Sequence, residues 1–341
     1  SECPSNVDMA KIKYEFLAHY YKEHGLPLRN RVFGRIDRLS QIGSALSPVS
    51  NWIMKSALTK WGLEKVVGID RRRSLPAFVR KTFERSFEEH SAPARDEHSK
   101  QVVLFHDTFM NYNYPQVGDA AVRVLEAAGF QVVLPRRKCC GRPMISKGML
   151  EQAIENARFN IEQLEPYAAK GIPIVGCEPS CILSLRDDYV DLIPGEASKL
   201  VADNTFMIEE FLIACQESGD LRLEFTDSKK EILLHGHCHQ RAIVGIQPSV
   251  KVLSLPPGYS VEVIDSSCCG MAGAFGYEKE HYDLSMKIGE LRLFEDIRKK
   301  KGDFEMAVAG VSCREQILQG TGKEPKHLIE LLSDALCEGE N

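Results

Sequence analysis

The sequence predicts an α/β protein built from two pseudo-symmetric parallel α/β modules that follow a helical segment. Three observations support this class. The order strand, helix, strand, helix, strand occurs after residue 100, and strands in the same order recur after residue 225. A Cys-Cys-Gly triplet accompanies each copy, at 139–141 and 268–270, and the two triplets stand 129 positions apart. A repeated order that carries a repeated motif indicates an internal duplication.

The chain begins with a cysteine followed by proline, Cys3-Pro4, which is how the bacterial ferredoxin cysteine run ends. We therefore assign residues 1–25 to the end of a ferredoxin-like 4Fe-4S domain and expect Cys3 to be a metal ligand. An ordinary N-terminal cysteine is the alternative. Residues 26–100 are predicted to be a helical collar and linker, since apolar residues recur there at helical spacing between prolines and glycines.

Two stretches of this part predict particular helices. Met9, Ile12, Phe16 and Tyr20 recur at three- and four-residue spacing before Gly25, which predicts an amphipathic helix that ends there. A further helix is expected over 76–87.

The cysteine-rich modules are predicted to span residues 101–225 and 226–341. In the first module we expect strands at 102–105, 130–134 and 172–175, with helices at 118–128 and 147–169. In the second module we expect strands at 232–234, 261–264 and 306–309, with a helix at 281–299.

Cysteines follow nearly every one of these strands. The carboxyl edge of a parallel sheet is where ligands bind, and adjacent cysteines form a disulfide only with strain, so gathered thiolates indicate a soft metal centre. Buried cysteines that pack as small hydrophobes are the alternative. We expect seven thiols to converge on one region with Cys177 at its periphery. The predicted ligands are Cys139, Cys140, Cys177, Cys181, Cys238, Cys268, Cys269 and Cys313.

Histidines accompany the cysteines in both modules. His235, His237 and His239 alternate at the end of a predicted strand, so we expect all three on one face. We expect His235 and His237 to bind the metal or to hydrogen-bond to its sulfur ligands. His106 and Asp107 hold the matching place in the first module.

Four further residues have a weaker prediction. Arg142 and Arg314 follow cysteines, and they either stabilise a negatively charged centre or form surface salt bridges. Cys215 and Cys337 are interpreted as structural.

Composition limits the function further. A net charge of −5 and a pI near 6.1 argue against a nucleic-acid-binding chain as a whole. The basic runs 71–73 and 299–301 are interpreted as solvated faces, with docking to a partner or to an acidic membrane as the alternative. No apolar run approaches ~18 residues. Eleven cysteines without a secretion signal indicate metal or redox chemistry in a reducing compartment, so we expect a cytoplasmic protein.

The repeated phrases carry a resemblance to known proteins. They resemble the cysteine-rich domain of heterodisulfide reductase and the iron–sulfur subunits of glycolate oxidase and anaerobic glycerol-3-phosphate dehydrogenase. The resemblance is strongest to the C-terminal region of bacterial FAD-linked dehydrogenases of D-2-hydroxyacids, of the D-lactate and D-2-hydroxyglutarate type. The phrases that carry it lie at 134–143, 178–181, 234–239, 268–273 and 312–316.

This resemblance implies an electron-transfer role. An FAD domain upstream of Ser1, or a separate flavoprotein subunit, oxidises the hydroxyacid. The present segment, not catalytic by itself, passes electrons through iron–sulfur clusters of the 4Fe-4S kind to a quinone or a redox protein. Peripheral contact with the inner face of the membrane is a further expectation. The alternatives are a structural zinc-binding assembly module and a thiol–disulfide reductase similar to heterodisulfide reductase.

The sequence departs from the family pattern at three places. Thr108 stands in the first module where the second has Cys238, Cys177 and Cys181 are spaced by three residues rather than two, and Gln316 replaces a second closing cysteine. Two clusters, one cluster between the modules, and a mononuclear zinc site therefore all stay open.

Overall fold

The computed structural model describes residues 7–90 and 100–337. The N-terminal part is helical, as expected. Its helices are α1 (Met9–His24), α2 (Leu28–Gly34), α3 (Ile36–Ala45), α4 (Val49–Lys55), α5 (Ala57–Gly62), a π-helix (Leu63–Val67) and α6 (Phe83–Glu88).

The first helix has the predicted end but not the predicted environment. The Asp8 side chain accepts hydrogen bonds from the first-turn amides, and Gly25 ends the helix with φ 78°. Tyr14 is buried, whereas the predicted apolar stripe from Met9 to Tyr20 is exposed.

The first module begins at residue 100. Its elements are β1 (Lys100–Leu104), α7 (Thr108–Tyr112), α8 (Pro115–Ala127), β2 (Phe130–Val133), α9 (Arg142–Ser146), α10 (Leu150–Ala168), β3 (Ile174–Gly176), α11 (Pro179–Arg186), α12 (Asp188–Leu192), α13 (Glu196–Asp203), β4 (Thr205–Met207) and α14 (Ile208–Glu217).

The second module repeats this plan. Its elements are β5 (Lys230–His235), α15 (Cys238–Ile243), α16 (Gln247–Leu253), β6 (Tyr259–Val263), a short 3₁₀ turn (Phe275–Tyr277), α17 (Tyr282–Glu290), α18 (Leu293–Lys299), β7 (Glu305–Val308), α19 (Val311–Thr321), β8 (Lys326–His327) and α20 (Leu328–Ala335).

The two sheets are parallel throughout and have the same strand order. The orders are β2-β1-β3-β4 and β6-β5-β7-β8, which confirms the predicted α/β class with two pseudo-symmetric modules. In each sheet the order in which strands are added reverses beside the first strand, between β1 and β3 and between β5 and β7. Such a switch point opens a crevice at the carboxyl edge of the sheet.

The last helix of each module packs on the other module. α20 lies against α8, and α14 lies against α16. One hydrophobic core therefore extends across the predicted boundary at 225/226, from Leu125 in the first module to Leu332 in the second. This exchange holds the two sheets in one arrangement.

Buried ion pairs tie the collar to both modules. The Glu278 carboxylate, only 5% exposed, accepts a hydrogen bond from Lys147 Nζ at 2.6 Å and lies 3.6 Å from Arg29 Nε. His281 Nδ1 lies 2.8 Å from the same carboxylate. One side chain thus joins α2 in the collar, the segment after α9, and the second module.

Some predicted helices differ in the structure. Residues 76–82 are not helical, because their backbone groups form hydrogen bonds elsewhere. The Asn51 side chain bonds to both the amide and the carbonyl of Phe78, and the amide of Val79 donates to Tyr112 O. The helix expected over 281–299 breaks between α17 and α18, where the Phe294 ring packs closely against Gly289 and Gly320.

The short strands β4 and β8 were not predicted. With three and two residues, respectively, they carry too little pattern to be recognised in the sequence.

Candidate metal centre

The densest group of metal-ligating side chains lies at the switch point of the second sheet. His235 is the last residue of β5, and Cys313 lies in the first turn of α19, directly after β7. Cys269 reaches the same place from the loop after β6. Topology therefore brings together residues that are up to 78 positions apart in the chain.

These three side chains are close enough to share one ion. One ligand atom from each of His235, Cys269 and Cys313 lies within 4.8 Å of the others, and all three residues are buried. Cys268 contacts both Cys269 and Cys238 through sulfur, which extends the group toward the surface. Cys238, Cys268, Cys269 and Cys313 are called the second thiol group below.

The His235 ring is oriented by a neighbouring hydroxyl. Its Nδ1 lies 2.8 Å from Ser266 Oγ, and both residues are buried. Its Nε2 has no hydrogen-bond partner among the described residues. A buried nitrogen left free in this way is suited to bind a metal, because metal-ligating histidines are held through their other ring nitrogen.

The contacts between sulfurs favour thiolates at two positions of the second thiol group. Contact with Cys238 and then with Cys269 lowers the pKa of Cys268, while contact with Cys269 lowers the pKa of Cys313. The same contacts raise the pKa of Cys238 and of Cys269. The Gly270 amide also donates to Cys268 Sγ at 3.3 Å. Cys313 stands in the first turn of an eleven-residue helix, whose N-terminus favours negative charge.

The first module gathers three thiols, Cys139, Cys140 and Cys181, called the first thiol group below. Cys140 contacts both of the others through sulfur. Contact with Cys140 lowers the pKa of Cys181, but burial together with the nearby Asp107 and Glu178 carboxyls outweighs this effect and raises the pKa to about 12. The pKa of Cys139 is raised by its contact with Cys140 and by burial. All three sulfurs therefore favour the neutral thiol when no metal is bound.

Two donors of the second module have no equivalent in the first. The position that matches His235 holds Phe105, and the position that matches Cys238 holds Thr108. Phe105 is fully buried in the apolar core. The second thiol group, with four thiols and an imidazole, is therefore the richer donor set.

Glu178 connects the two cysteine-bearing helices. Its carboxylate accepts from Ser180 N at the start of α11 (3.3 Å) and from Val311 N at the start of α19 (2.8 Å). Burial raises the pKa of this carboxyl to about 8. α11, which carries Cys181, also packs against α15, which begins at Cys238. The two thiol groups thus face the same interface between the modules, while the expected convergence of all seven thiols on one region stays a prediction.

Cys177 lies away from both thiol groups. Its carbonyl oxygen accepts from His327 Nε2 at 3.2 Å, and its side chain lines a cavity of about 20 Å³ between the modules, enough for one water molecule. Burial raises the pKa of this thiol, and the nearby Asp107 carboxyl adds to the effect. Its predicted place at the periphery of the metal site stays a prediction.

The three histidines do not share a strand face, which corrects the expected alternation. β5 ends at His235, so His237 becomes the N-cap of α15 and His239 lies inside that helix. His237 is buried against Gly310, near Cys313. Burial lowers the pKa of His239 to about 3.

His106 and Asp107, which hold the place of these histidines in the first module, form hydrogen bonds to other parts of the protein. His106 Nε2 bonds to Glu84 at 2.7 Å, and Asp107 caps α7 through the amides of Phe109 and Met110.

The two arginines that follow cysteines in the sequence, Arg142 and Arg314, form ion pairs in the structure. Arg142 pairs with Asp188 at 3.3 Å and Arg314 with Glu330 at 3.1 Å. Cys215 is buried in α14, Cys337 is exposed, and Cys3 lies outside the described residues.

Three residues near the second thiol group were not singled out from the sequence. They are Ser266, Glu178 and Arg73. Ser266 stands two positions before the cysteine pair, so a search for polar neighbours of the motif would have found it. Arg73 lies about 200 residues away in the chain, and the interpretation of the basic run 71–73 as a solvated face is wrong for this residue, which is 2% exposed.

The donor set suits a soft metal ion or an iron–sulfur cluster. Thiolates bind iron, zinc and Fe–S clusters, and imidazole binds iron and zinc. The free Nε2 of His235 and the line of sulfur contacts from Cys238 through Cys268 and Cys269 to Cys313 are consistent with such a ligand. His235, Cys269 and Cys313 supply three donors close enough to share one ion, and Cys268 and Cys238 lie beside them as candidates for a fourth.

Comparison with known proteins places this arrangement among cysteine-rich redox proteins. The family model of the cysteine-rich domain matches residues 103–186. The matched subunit of anaerobic glycerol-3-phosphate dehydrogenase from Escherichia coli K12 is 31% identical over 98% of this chain and 83% of its own length. D-2-hydroxyglutarate dehydrogenase of the same organism is 24% identical, and the chain spans 33% of it. Lactate utilization protein A of an Exiguobacterium species is 26% identical over 69% of this chain and 98% of its own length.

Proposed function

The chain belongs to the same family as the matched subunit of anaerobic glycerol-3-phosphate dehydrogenase, and we propose on this basis that it is the iron–sulfur, electron-transferring part of a flavin-dependent dehydrogenase. The observation that carries the proposal is the second thiol group with His235 at the switch point of its sheet. Four thiols, of which Cys269 and Cys313 are buried, and an oriented, buried imidazole form a set of soft donors that a purely structural core does not need.

The second module supplies the site for one cluster, which we propose to be of the 4Fe-4S type. When bound, an iron–sulfur cluster takes up or releases single electrons. The chain supplies thiolates from the second thiol group, the imidazole of His235, and apolar walls such as Met271 that exclude water. A negative centre is also favoured by the N-terminus of α19.

The first thiol group has a different proposed role. Three thiols are one donor short of the four that zinc or a cluster requires, so a metal there needs a ligand from elsewhere. We propose that the electron-carrying centre lies in the second module and that the first thiol group holds zinc or a second centre only with such a ligand.

Oxidation of the substrate is assigned to a flavin subunit or domain. The relatives are named for glycerol 3-phosphate, D-2-hydroxyglutarate and lactate, which are all hydroxylated and negatively charged. We propose that the partner binds FAD and oxidises such a compound. The present chain then passes the electrons to a quinone or a redox protein.

Anaerobic purification followed by iron, sulfide and zinc analysis tests the electron-transfer proposal. We expect iron and acid-labile sulfide in the wild-type protein, a loss of most of both in Cys269→Ser and Cys313→Ser, and wild-type content in the exposed control Cys337→Ser. A colourless protein that contains zinc alone would support the structural zinc alternative. Reduction of a mixed disulfide by the isolated protein, lost in Cys269→Ser, would instead support a thiol–disulfide reductase.

Membrane contact is proposed for the collar, on the inner, cytoplasmic face of the bilayer. No helix in the described part of the chain has the length and apolar character needed to cross a membrane. An apolar collar face nevertheless projects from α3, α4, α5 and the π-helix. Its exposed side chains are Leu39, Ile42, Leu46, Val49, Trp52, Ile53, Leu58, Trp61 and Val66.

Charge makes an anionic bilayer the proposed occupant of the apolar collar face. Residues 28–72 contain nine Lys or Arg and three Asp or Glu, a net charge of +6 in a chain of net charge −5. Both tryptophans of the chain, Trp52 and Trp61, lie on this face. Tryptophan at the interface and basic residues facing acidic headgroups are typical of peripheral membrane contact.

Vesicle sedimentation tests this contact. We expect binding to vesicles that contain phosphatidylglycerol, weaker binding to pure phosphatidylcholine, and loss of binding in Leu58→Glu. Leu58 is 77% exposed, so the change leaves the core intact. Leu291→Glu, at a 72% exposed site in the second module, is the control and should bind like wild type. Equal binding by both variants would contradict this assignment.

A further inference from the structure

A single arginine from the segment after the collar is buried inside the second module. Arg73 is 2% exposed and is among the largest fully buried side chains of the described residues. Its Nε donates to Gly276 O at 2.6 Å, Nη1 to Gln316 Oε1 at 2.8 Å, and Nη2 to Ser285 Oγ at 2.8 Å. The guanidinium is therefore held in one orientation by the second module.

No carboxylate of the described residues forms an ion pair with Arg73, although Asp70 and Glu315 interact with its charge at longer range. All its acceptors are neutral, and among the described residues no carboxylate lies within 4.0 Å of the guanidinium. The nearby Asp70 is neutralised by Arg72, at 2.7 Å. An unpaired buried charge is strongly unfavourable, so a buried arginine is normally matched by an anion.

The second thiol group lies on the same side of the module as this charge. Gln316, which accepts from Arg73, stands one turn after Cys313 on α19, and its Nε2 lies 3.2 Å from where a Cβ of Gly270 would be. Burial lowers the pKa of Arg73, and Tyr277, Tyr282, Asp70 and, to a smaller extent, Cys269 oppose that effect. Gln316 is also the position at which the family pattern has a closing cysteine.

We propose that Arg73 is the counter-ion of the thiolate-bound centre in the second module and raises the reduction potential of that centre. This inference rests on the proposed function of the second module as a one-electron site. A fixed positive charge stabilises the reduced state, which carries one more negative charge, more than the oxidised state. Arg73 is thus a positioning residue that acts through the local field and does not bind the metal itself.

The proposal is tested by the midpoint potential of the centre in three variants. Arg73→Gln removes the charge, and Arg73→Lys keeps it. The control Arg71→Gln removes an exposed arginine that pairs with Glu64. We expect Arg73→Gln to become harder to reduce by at least tenfold, which is 59 mV for a one-electron couple. The other two variants should stay within threefold of wild type.

The proposal would be overturned if the equilibrium constant for reduction of the centre, calculated from its midpoint potential, stayed within threefold of wild type in Arg73→Gln. If Arg73→Gln does not fold, Arg73→Lys provides the test. A tenfold change in the reduction equilibrium of this variant, which keeps the positive charge, would assign the effect to the hydrogen bonds of Arg73 alone and would overturn the proposal. A second measurement compares denaturant stability with and without metal. A counter-ion predicts that Arg73→Gln weakens the metal-loaded protein more than the metal-free protein, and equal losses would indicate a purely structural side chain.

Failure of the proposed function gives a different result. It would appear as wild-type protein with zinc and no iron, and no potential could then be measured. The comparison of metal-loaded and metal-free protein still applies in that case, because zinc thiolates also carry negative charge. The two inferences can therefore fail separately.

Discussion

Replacing Gly270 by alanine should destabilise the protein more than the same change at Gly141. Each glycine follows a cysteine pair, with φ 93° and 83°, respectively. A Cβ at Gly270 would lie 2.2 Å from the carbonyl oxygen of Ser285 in α17. A Cβ at Gly141 would lie 3.4 Å from Ala153, which is an ordinary close contact. The two positions share the backbone conformation and differ in the space around it.

The expected loss of stability is the sum of two costs, the left-handed backbone conformation and the steric contact of the added Cβ. Alanine in the left-handed region costs about 1–2 kcal/mol, and this applies at both sites. At Gly270 the backbone of α17 must also move, and overpacking of this kind costs a further ~1–3 kcal/mol. We therefore expect a loss of about 1–2 kcal/mol in Gly141→Ala and about 2–5 kcal/mol in Gly270→Ala.

Denaturant unfolding of both variants, with the metal state held fixed, measures the difference. Metal content provides a second readout, since the Gly270 amide donates to Cys268 Sγ and a shifted loop should bind metal less tightly. Equal stability losses would refute the reasoning, because they would mean that α17 yields without cost. A Gly270→Ala variant as stable as wild type would refute the strain argument as well.

Two further predictions concern buried polar groups. Glu209 accepts a hydrogen bond from Gln240 Nε2 at 2.7 Å, and burial raises the pKa of its carboxyl from 4.5 to about 7. The protonated carboxyl therefore contributes its full share to the free energy of unfolding below pH 4.5, and this contribution declines as the pH rises to 7. Wild type should lose about 3 kcal/mol across that window, at about 1.36 kcal/mol per pH unit, and Glu209→Gln should not, as measured by denaturant titration. The same slope in both proteins would contradict this assignment. Ser266→Ala frees the His235 ring and should weaken metal binding by about 10–100-fold in a chelator competition, whereas an unchanged affinity would exclude His235 as a ligand.

Local patterns in the sequence were sufficient for the general architecture. The strands around Val103 and Leu233 are short apolar runs, which is the signature of buried parallel strands, and the structure confirms them. The two Cys-Cys-Gly triplets indicated the duplication because a repeat is visible in the sequence itself. The left-handed glycines that follow the cysteines were also predictable, since a sharp turn there requires a residue without a Cβ.

Features that depend on contacts between distant segments could not be predicted. The alternation of histidines suggested one face, but the chain leaves the strand at His235 and enters a helix. The first half of the predicted helix over 76–87 does not form, because its amides donate hydrogen bonds to Asn51 and to the carbonyl of Tyr112 instead. Backbone groups that find tertiary partners do not need a helix.

The amino-acid sequence by itself determined that this protein contains two parallel modules with cysteines at the carboxyl ends of their strands, because strand patterns and repeated motifs are local. Only the tertiary structure showed which thiols contact one another, in a group of four beside His235 and in a group of three in the first module. It also placed Arg73 beneath the richer group, 243 residues from Gln316. Burial and charge pairing are properties of the packed chain, and no local pattern encodes which distant groups will share one crevice.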